Sequence, residues 1–442
     1  MRFPYILPLW PRFKHYFAYL MKNWIKIFLI FAFLSFSLAG TAQKQRFPKP
    51  EFGSGYSQPT PVTPEPRALA LEYTDVVVLL IVLSLASWFA IRKRSRRGLL
   101  WLSVFTLIYF GFYRNGCICS IGSVQNVVLT LFDPVYAISI TTLLFFLLPL
   151  IFALYFGRIF CAGACPLGAM QDLLIVKPLP LPEWFRKTLG IIPYVYLTLA
   201  ILFAATGTDF IICRYDPFVG IFRMDAKFLM VVLGTAFLLT GMFVARPYCR
   251  FLCPYGVLLN WMSRFSKWHL TITPAECIQC KLCSDSCPFD AIDFPSEKQS
   301  KDTQWGVNRF LVYAIMIPLW IFIGGFVGSK AHTWISKANS TVYLTELLLS
   351  KPEVRSDQKN LDVQAFLSSG KSMETIVKEA TVIRRKFYTG GWFAGGFIGM
   401  VIGMTLLGQV VYRRKTDYQP NKGNCFSCGR CMNYCPVKKV TR

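Results

Sequence analysis

Apolar segments long enough to cross a lipid bilayer recur along this chain of 442 residues. A membrane-spanning helix needs about 17–25 mostly apolar residues, because its backbone polar groups must all be satisfied within the segment. Eight segments are candidates, and the third is the shortest: 25–41, 74–91, 98–113, 135–156, 190–207, 228–245, 310–328 and 391–411. The pattern predicts an all-α polytopic membrane protein.

The charge content agrees with a membrane fold. Only 16% of the residues are charged, whereas an ordinary soluble domain has about 25%. The formal net charge of +25 would suggest a nucleic-acid partner in a soluble protein. In a membrane protein it mostly reports basic cytoplasmic loops. We therefore expect a lipid environment and no nucleic acid.

Basic residues also predict the orientation of the chain. Five of the six residues from Arg92 to Arg97 are basic, and the positive-inside rule places this loop in the cytoplasm. Alternation then places the N-terminus and the tail after 412 inside, in a bacterial inner membrane. The run Arg384-Arg385-Lys386 opposes this assignment, because alternation places its loop outside.

The resulting domain organisation alternates membrane segments with loops on either side. Residues 1–42 read either as a signal anchor or as a cleavable signal peptide, and both readings export the Pro-rich linker 43–73. The predicted parts that follow are a membrane core 74–262, a first ferredoxin half 263–308, a span 309–328, an exported loop 329–390, a span 391–411 and a second ferredoxin half 412–442. Amphipathic helices are expected in 341–381, either as a small cap or as a docking surface.

A C-x-x-x-C-P motif occurs twice in the core, each time after an apolar segment. The copies are Cys161 to Pro166 and Cys249 to Pro254, and an Ile-Cys pair precedes each copy by one span, at Cys119 and Cys213. Duplicated helical hairpins commonly form a site at their interface. We therefore expect a pseudo-symmetric core in which four cysteines converge on the cytoplasmic face: Cys161, Cys165, Cys249 and Cys253.

Two groups of cysteines in this core have different predicted roles. Four thiolates are the ligand number of an iron–sulfur cluster, and Pro suits the first turn of a helix. A shared third iron–sulfur centre is favoured over a structural role or a zinc site. Cys117, Cys119 and Cys213 lie near the outer face, where disulfides are permitted. We expect either a Cys119–Cys213 disulfide or a redox site that includes Cys117 and a further ligand such as Asp216.

Two C-x2-C-x2-C-x3-C-P runs of bacterial ferredoxin type are the strongest signal, at 277–288 and 425–436. In such pairs the first three cysteines of a run bind one cluster and the fourth binds the other. Two [4Fe–4S] clusters are predicted, one held by Cys277, Cys280, Cys283 and Cys435, and one by Cys425, Cys428, Cys431 and Cys287. Shared clusters require both runs on one side, which the two spans between them allow. That side is predicted to be the cytoplasm.

These motifs resemble the membrane polyferredoxins typified by NosR, associated with nitrous oxide reductase, and NapH, associated with periplasmic nitrate reductase. The resemblance covers roughly 98–290 and 423–437 and is most similar to NosR. It implies electron transfer between a cytoplasmic donor or quinone and an exported redox partner. The exported flavin-binding domain of NosR-like proteins has no counterpart in 43–73 or 329–390. The chain is therefore expected to hold no flavin of its own, although a partner subunit could supply one.

Two other functions remain open at the level of sequence. CcoG-type proteins have a related arrangement and are linked to copper handling, so an assembly factor that reduces or delivers a metal to an exported enzyme is the main alternative. A cluster-based redox sensor is the third. The chain is expected to be an electron-transfer component and not a stand-alone catalyst.

Overall fold

Helices form nearly all the regular structure that the computed structural model describes. The described residues are 68–116, 119–176, 178–179, 181–224, 228–272, 277–295, 303–350, 361–368, 372–410 and 417–437. The first hydrophobic segment, most of the Pro-rich linker and Cys117 therefore lie outside the described residues.

The helices and strands follow in chain order. The first half contains α1 Leu69–Ser87, α2 Arg96–Thr106, α3 Ser120–Phe132, α4 Ile140–Phe156, α5 Pro166–Leu173, α6 Glu183–Leu189, α7 Ile192–Ala205, α8 Ile211–Tyr215 and α9 Pro217–Arg223. The second half contains α10 Phe228–Gly241, α11 Pro247–Phe251, α12 Pro254–Arg264, α13 Leu282–Asp285, β1 Ile292–Asp293, α14 Thr303–Ile335, α15 Ser340–Ser350, α16 Leu361–Ser368, α17 Met373–Val410, β2 Gln419–Pro420 and α18 Arg430–Tyr434. Wider π-helical turns occur at Trp88–Arg92, Leu107–Tyr113 and Phe160–Ala164, and Ser336–Ala338 is a 3₁₀ turn.

The helical membrane fold is confirmed, but the number of eight spans is not. Four described helices are long and apolar enough to cross a membrane: Leu69–Arg92, Glu183–Ala205, Phe310–Ala338 and Met373–Gln409. The segments predicted at 135–156 and 228–245 form shorter apolar helices, α4 and α10. The sequence reading missed α3, an apolar helix of 13 residues. It also placed the start of the last span at 391, whereas α17 begins at Met373.

Each C-x-x-x-C-P motif folds as a loop that turns back into the helix bundle. After α4 the chain turns at Gly157, whose φ of 79° suits glycine. The π-helical turn Phe160–Ala164 then packs against α2, where the Ser103 hydroxyl donates to the Ala162 carbonyl at 3.0 Å. In the second copy, the Tyr255 hydroxyl donates to the Phe146 carbonyl, in the first half of α4, at 2.7 Å. Helices α5 and α12 therefore begin inside the bundle.

The long helices α14 and α17 pack through glycines. A side chain on Gly395 would overlap the Gly324 carbonyl, and one on Gly391 would overlap the Gly328 carbonyl. Glycines spaced four apart allow this close backbone approach in membrane helices. At one end of the bundle, which we call the ferredoxin end, β1 pairs antiparallel with β2 and thereby joins the two ferredoxin runs.

The opposite end of the α14–α17 pair is covered by α15 and α16. Leu348, Val363, Phe366 and Ile376 form a small apolar core there. Helix α15 packs on the first turns of α17, which lie within the loop predicted as 329–390. This arrangement corresponds to the cap alternative for the loop.

The glycine contact can be tested with two substitutions on α17. Gly395→Leu places a side chain against the α14 backbone, and overpacking of this kind costs about 1–3 kcal/mol. We expect a lower unfolding temperature and loss of bound iron, because the hairpin helps to keep the ferredoxin halves together. Gly408→Leu is the control, since a Cβ there has no atom within 4 Å among the described residues. Tryptophan fluorescence during heating and iron assay give the measurement, and equal effects of the two substitutions would contradict the prediction.

Candidate iron–sulfur sites

One group of cysteines lines a single cavity at the ferredoxin end. Its volume is ≈370 Å³, and its cysteines are Cys277, Cys280, Cys283 and Cys435. Three come from the first run and one from the second. Burial raises the pKa of the Cys283 thiol, and the nearby Cys277 and Cys280 sulfurs raise it further. This is the crosswise grouping that the spacing predicts.

The complementary group is more deeply buried. Burial raises the pKa of the Cys425 thiol to about 12, and the neighbouring Cys428 and Cys287 sulfurs add to the rise. The Cys431 thiol interacts with the same three sulfurs, and Cys287 with Cys428, so every pair in the group is close. The Cys431 thiol also interacts with Cys283, which brings the two groups next to each other.

The donor sets fit [4Fe–4S] clusters, because each group supplies the four thiols that such a cluster needs. The thiols of the first group surround a cavity. Clustered and buried thiols lose their protons readily only when a metal compensates the negative charge. When bound, such clusters store and release single electrons.

The four cysteines of the duplicated motif also form one group. Every pair among Cys161, Cys165, Cys249 and Cys253 is close enough to interact electrostatically. All four are buried, with exposed fractions of 7–8%, because both loops turn back into the bundle. Their placement on the cytoplasmic face stays a prediction. The Gln171 amide donates to Cys249 Sγ at 3.4 Å.

Two buried arginines lie between the quartet and the ferredoxin groups. Arg158 and Arg246 occupy equivalent positions in the two copies, three residues before Cys161 and Cys249. Arg158 Nη2 lies 3.9 Å from Cys161 Sγ, and its guanidinium carbon lies 4.1 Å from the ring centre of Phe426. Arg158 also interacts with Cys425, and Arg246 with Cys428 and Cys249. Each cation therefore acts on both cysteine groups.

These arginines support the fit of a third cluster. Among the described residues, Arg158 Nε and Arg246 Nε have no hydrogen-bond partner, although both side chains are buried. A buried charge is costly unless it is compensated. Four thiolates with inorganic sulfide would supply both negative charge and acceptors at this position. The quartet and its two arginines are therefore chemically suited to an iron–sulfur centre.

A buried aspartate, which the sequence reading missed, joins the parts of the site. Asp172 forms ion pairs with Arg96, Arg246 and Arg430. Burial alone would raise its pKa, but the three guanidiniums lower the pKa of Asp172 to about 2. Arg96 belongs to the basic loop Arg92–Arg97, which the sequence connected only with membrane orientation. No motif spacing marks Asp172, because its partners are distant in sequence.

The basic loop between the first two helices contacts the second ferredoxin run. Arg96 Nη1 donates to the Cys428 carbonyl at 3.1 Å, and Arg94 Nε to Met432 Sδ at 3.2 Å. Further contacts come from the core, where Arg158 donates to the Gly423 carbonyl at 3.3 Å. The ferredoxin halves are thus fixed on the membrane core largely by arginines.

The cysteines predicted near the outer face line a polar cavity of ≈280 Å³ at the end opposite the ferredoxin groups. Cys119, Cys213 and Asp216 all contribute to its wall. Both thiols are free, so the disulfide alternative is not formed in this structure. The Tyr248 hydroxyl, one residue from Cys249, donates to Asp216 Oδ2 at 2.9 Å. A narrow apolar cavity is lined by both Cys119 and Cys165. The quartet therefore lies between this outer cavity and the ferredoxin groups.

Comparison with known proteins agrees with these sites. Residues 138–192 and 226–273, which contain the two C-x-x-x-C-P copies, match a 4Fe-4S binding domain family, and residues 270–293 match another family of that description. An uncharacterized protein of Methanocaldococcus jannaschii is 27% identical over 196 residues, 41% of this chain and 77% of that protein. No solved structure matches.

Two further relatives are longer proteins. The regulatory protein NosR of Pseudomonas aeruginosa is 29% identical over 266 residues, 54% of this chain and 36% of NosR. Protein NirI of Paracoccus denitrificans is 30% identical over 155 residues, 32% of this chain and 22% of NirI. The chain thus spans well under half of these two relatives.

The fold and sites define a helical membrane protein with 4Fe-4S ferredoxin domains. Within this class, the resemblance to NosR/NapH-like polyferredoxins is confirmed by the relatives that it matches. The assignment of each cysteine to a particular cluster stays a prediction.

The ion-pair network around Asp172 predicts a large effect of one substitution. Asp172→Asn leaves the buried Arg246 without its counter-charge, and breaking a buried pair costs about 3–5 kcal/mol. Asp209→Asn is the control, because its partner Arg214 is 58% exposed and such pairs contribute about 1 kcal/mol or less. Thermal unfolding at pH 7 measures both, and a similar small shift for the two variants would contradict the prediction.

The same network gives the direction of a pH effect. The pKa of Asp172 is about 2 in the folded chain, against an ordinary value of 3.8. Its stabilising contribution is therefore complete above pH 3.8 and is lost as the pH falls through about 2. The difference in unfolding temperature between wild type and Asp172→Asn should accordingly stay constant from pH 7 to pH 5.

Proposed function

We propose that this protein transfers electrons across the bacterial inner membrane, between a cytoplasmic donor or quinone and an exported reductase system such as nitrous oxide or nitrate reduction. The observation that carries the proposal is the order of the cysteine groups. The two ferredoxin groups, the quartet and the outer cavity follow one another through the bundle. A hydrocarbon core about 30 Å thick requires such intermediate positions.

The chain's own residues keep these positions close together. Phe289 and Phe426 each follow a ferredoxin cysteine closely, and their rings lie 4.7 Å apart. The Arg246 guanidinium carbon lies 5.7 Å from both ring centres. Packing of these groups joins the second ferredoxin group to the quartet. The positive charges of Arg158 and Arg246 would favour the more negative, reduced state of a cluster held by the quartet and of one held by the second ferredoxin group.

The side of the membrane is supported by the basic loop Arg92–Arg97. This loop contacts the second ferredoxin run, and the positive-inside rule therefore supports a cytoplasmic location for the loop and the run together. The outer cavity with Cys119 and Cys213 then faces the exported partner. A partner subunit would supply any flavin that the system needs.

The assembly-factor alternative draws on one observation. Two free thiols and a carboxylate share the outer cavity, and thiolates suit copper in its reduced state. In that case the same electron path would end in reduction of a metal ion destined for an exported enzyme.

Iron stoichiometry tests the three-cluster arrangement. The anaerobically purified chain should contain about twelve irons, four for each of three clusters. Removing two quartet ligands, in Cys165→Ser/Cys253→Ser, should leave about eight irons and abolish one EPR signal of the dithionite-reduced protein. Cys213→Ser is the control and should retain about twelve irons. A wild-type content of about eight would exclude the third cluster, and zinc in place of iron would exclude electron transfer.

A second experiment separates electron transfer from metal delivery. Cys280→Ser removes one predicted ferredoxin ligand, and Ser284→Ala changes a neighbouring residue that is not a ligand. In cells, the exported reductase should be loaded with metal but should stay oxidised in the first variant, and should be normal in the second. Metal analysis and reductant-supplied activity of the isolated reductase measure this. A reductase that lacks its metal would favour the assembly role.

A further inference from the structure

A large cavity lies away from the cysteine groups, between α7, α12 and α17. Its volume is ≈850 Å³, within the range of about 300–1,000 Å³ that is typical of ligand sites. The wall is mostly apolar and aromatic, with contributions from Ile201, Leu258, Trp261, Phe393 and Phe397. Ile201 and Phe393 are exposed, so the cavity is an open cleft, and α7 and α17 beside it belong to helices that are long enough to cross a membrane.

One end of the cleft is basic. Arg385 and Lys386 line it together with the hydroxyl-bearing residues Thr389 and Thr206. Thr206 follows the last residue of α7, so this end lies at the far end of that helix, opposite the ferredoxin groups. A short polar end and a long apolar trough together match the shape of an amphiphile.

Among the residues that the structure describes, Arg385 and Lys386 have no counter-charge. Arg384, the first residue of the basic run, pairs with Glu346 at 3.4 Å. Within the described part of the chain, Arg385 and Lys386 form no ion pair. In the basic run 384–386, Arg384 therefore pairs with the cap helix α15, whereas Arg385 and Lys386 line the cleft.

We propose that this cleft binds an anionic phospholipid, with the phosphate between Arg385 and Lys386 and an acyl chain along the apolar wall. Basic side chains near a membrane surface attract anionic headgroups, and guanidinium groups bind phosphate through paired hydrogen bonds. Free phosphate would gain nothing from the aromatic wall. A neutral lipid or a quinone would leave the two cations unpaired. The bound lipid links α7 and α12 of the core to α17.

Lipid retention tests the proposal directly. The full chain is purified in mild detergent from membranes that contain both phosphatidylglycerol and phosphatidylethanolamine, and its bound lipid is identified by native mass spectrometry. We expect retained phosphatidylglycerol in the wild type and a loss of at least about tenfold in Arg385→Gln/Lys386→Gln. Lys378→Gln, an exposed basic residue on the same helix outside the cleft, should behave as wild type.

A second measurement locates the lipid and controls for folding. Brominated phosphatidylglycerol, added to delipidated protein, should quench tryptophan fluorescence, and Trp261→Phe should remove part of that quenching. Iron content equal to wild type shows that the variants are folded, whatever the outcome for the proposed function. Equal phosphatidylglycerol retention in the double variant would overturn the proposal. So would displacement by inorganic phosphate or preferential retention of a neutral lipid or quinone.

Discussion

Compensation of buried charge is the constraint on which this structure depends. Cysteine groups inside a membrane bundle carry negative charge once they bind iron, and an unpaired buried charge is costly. Arg158 and Arg246 meet this need, since each interacts with the quartet and with the second ferredoxin group. Asp172 in turn fixes Arg246 and joins it to Arg96 and Arg430. The second ferredoxin run and the core are therefore held by one electrostatic network.

The internal repeat explains how one chain builds this network. Each copy contributes an arginine to the other, because Arg246 donates to the Cys161 carbonyl and Arg158 lies beside Gly256 of the second copy. A side chain at Gly256 would lie 3.3 Å from Arg158 Nη2, and one at Gly168 would lie 3.4 Å from Arg246 Nη1. Glycine at these two positions gives the exchanged arginines their space. The repeat therefore supplies four thiols, and the arginine of each copy offsets negative charge in the other copy.

The high net positive charge reflects more than the orientation of the chain in the membrane. Some of the 48 basic residues are structural partners of the cysteine groups, such as Arg94 and Arg96 in the loop that contacts the second run. Others, such as Arg385 and Lys386, stand beside an apolar cleft. Orientation, cluster environment and lipid contact therefore draw on the same residue types. Composition alone cannot separate these uses, because it does not report what each side chain touches.

The sequence by itself determined the class of protein and predicted the cysteine groups, because apolar length and ligand spacing are local properties that do not depend on tertiary structure. The crosswise grouping of Cys287 and Cys435 followed from spacing alone. Only the tertiary structure decided the depth of the quartet, the role of Asp172 and the shorter helices. Those features depend on loops that turn back into the bundle and on partners far apart in the chain, such as Asp172 and Arg430, and no local pattern encodes such contacts.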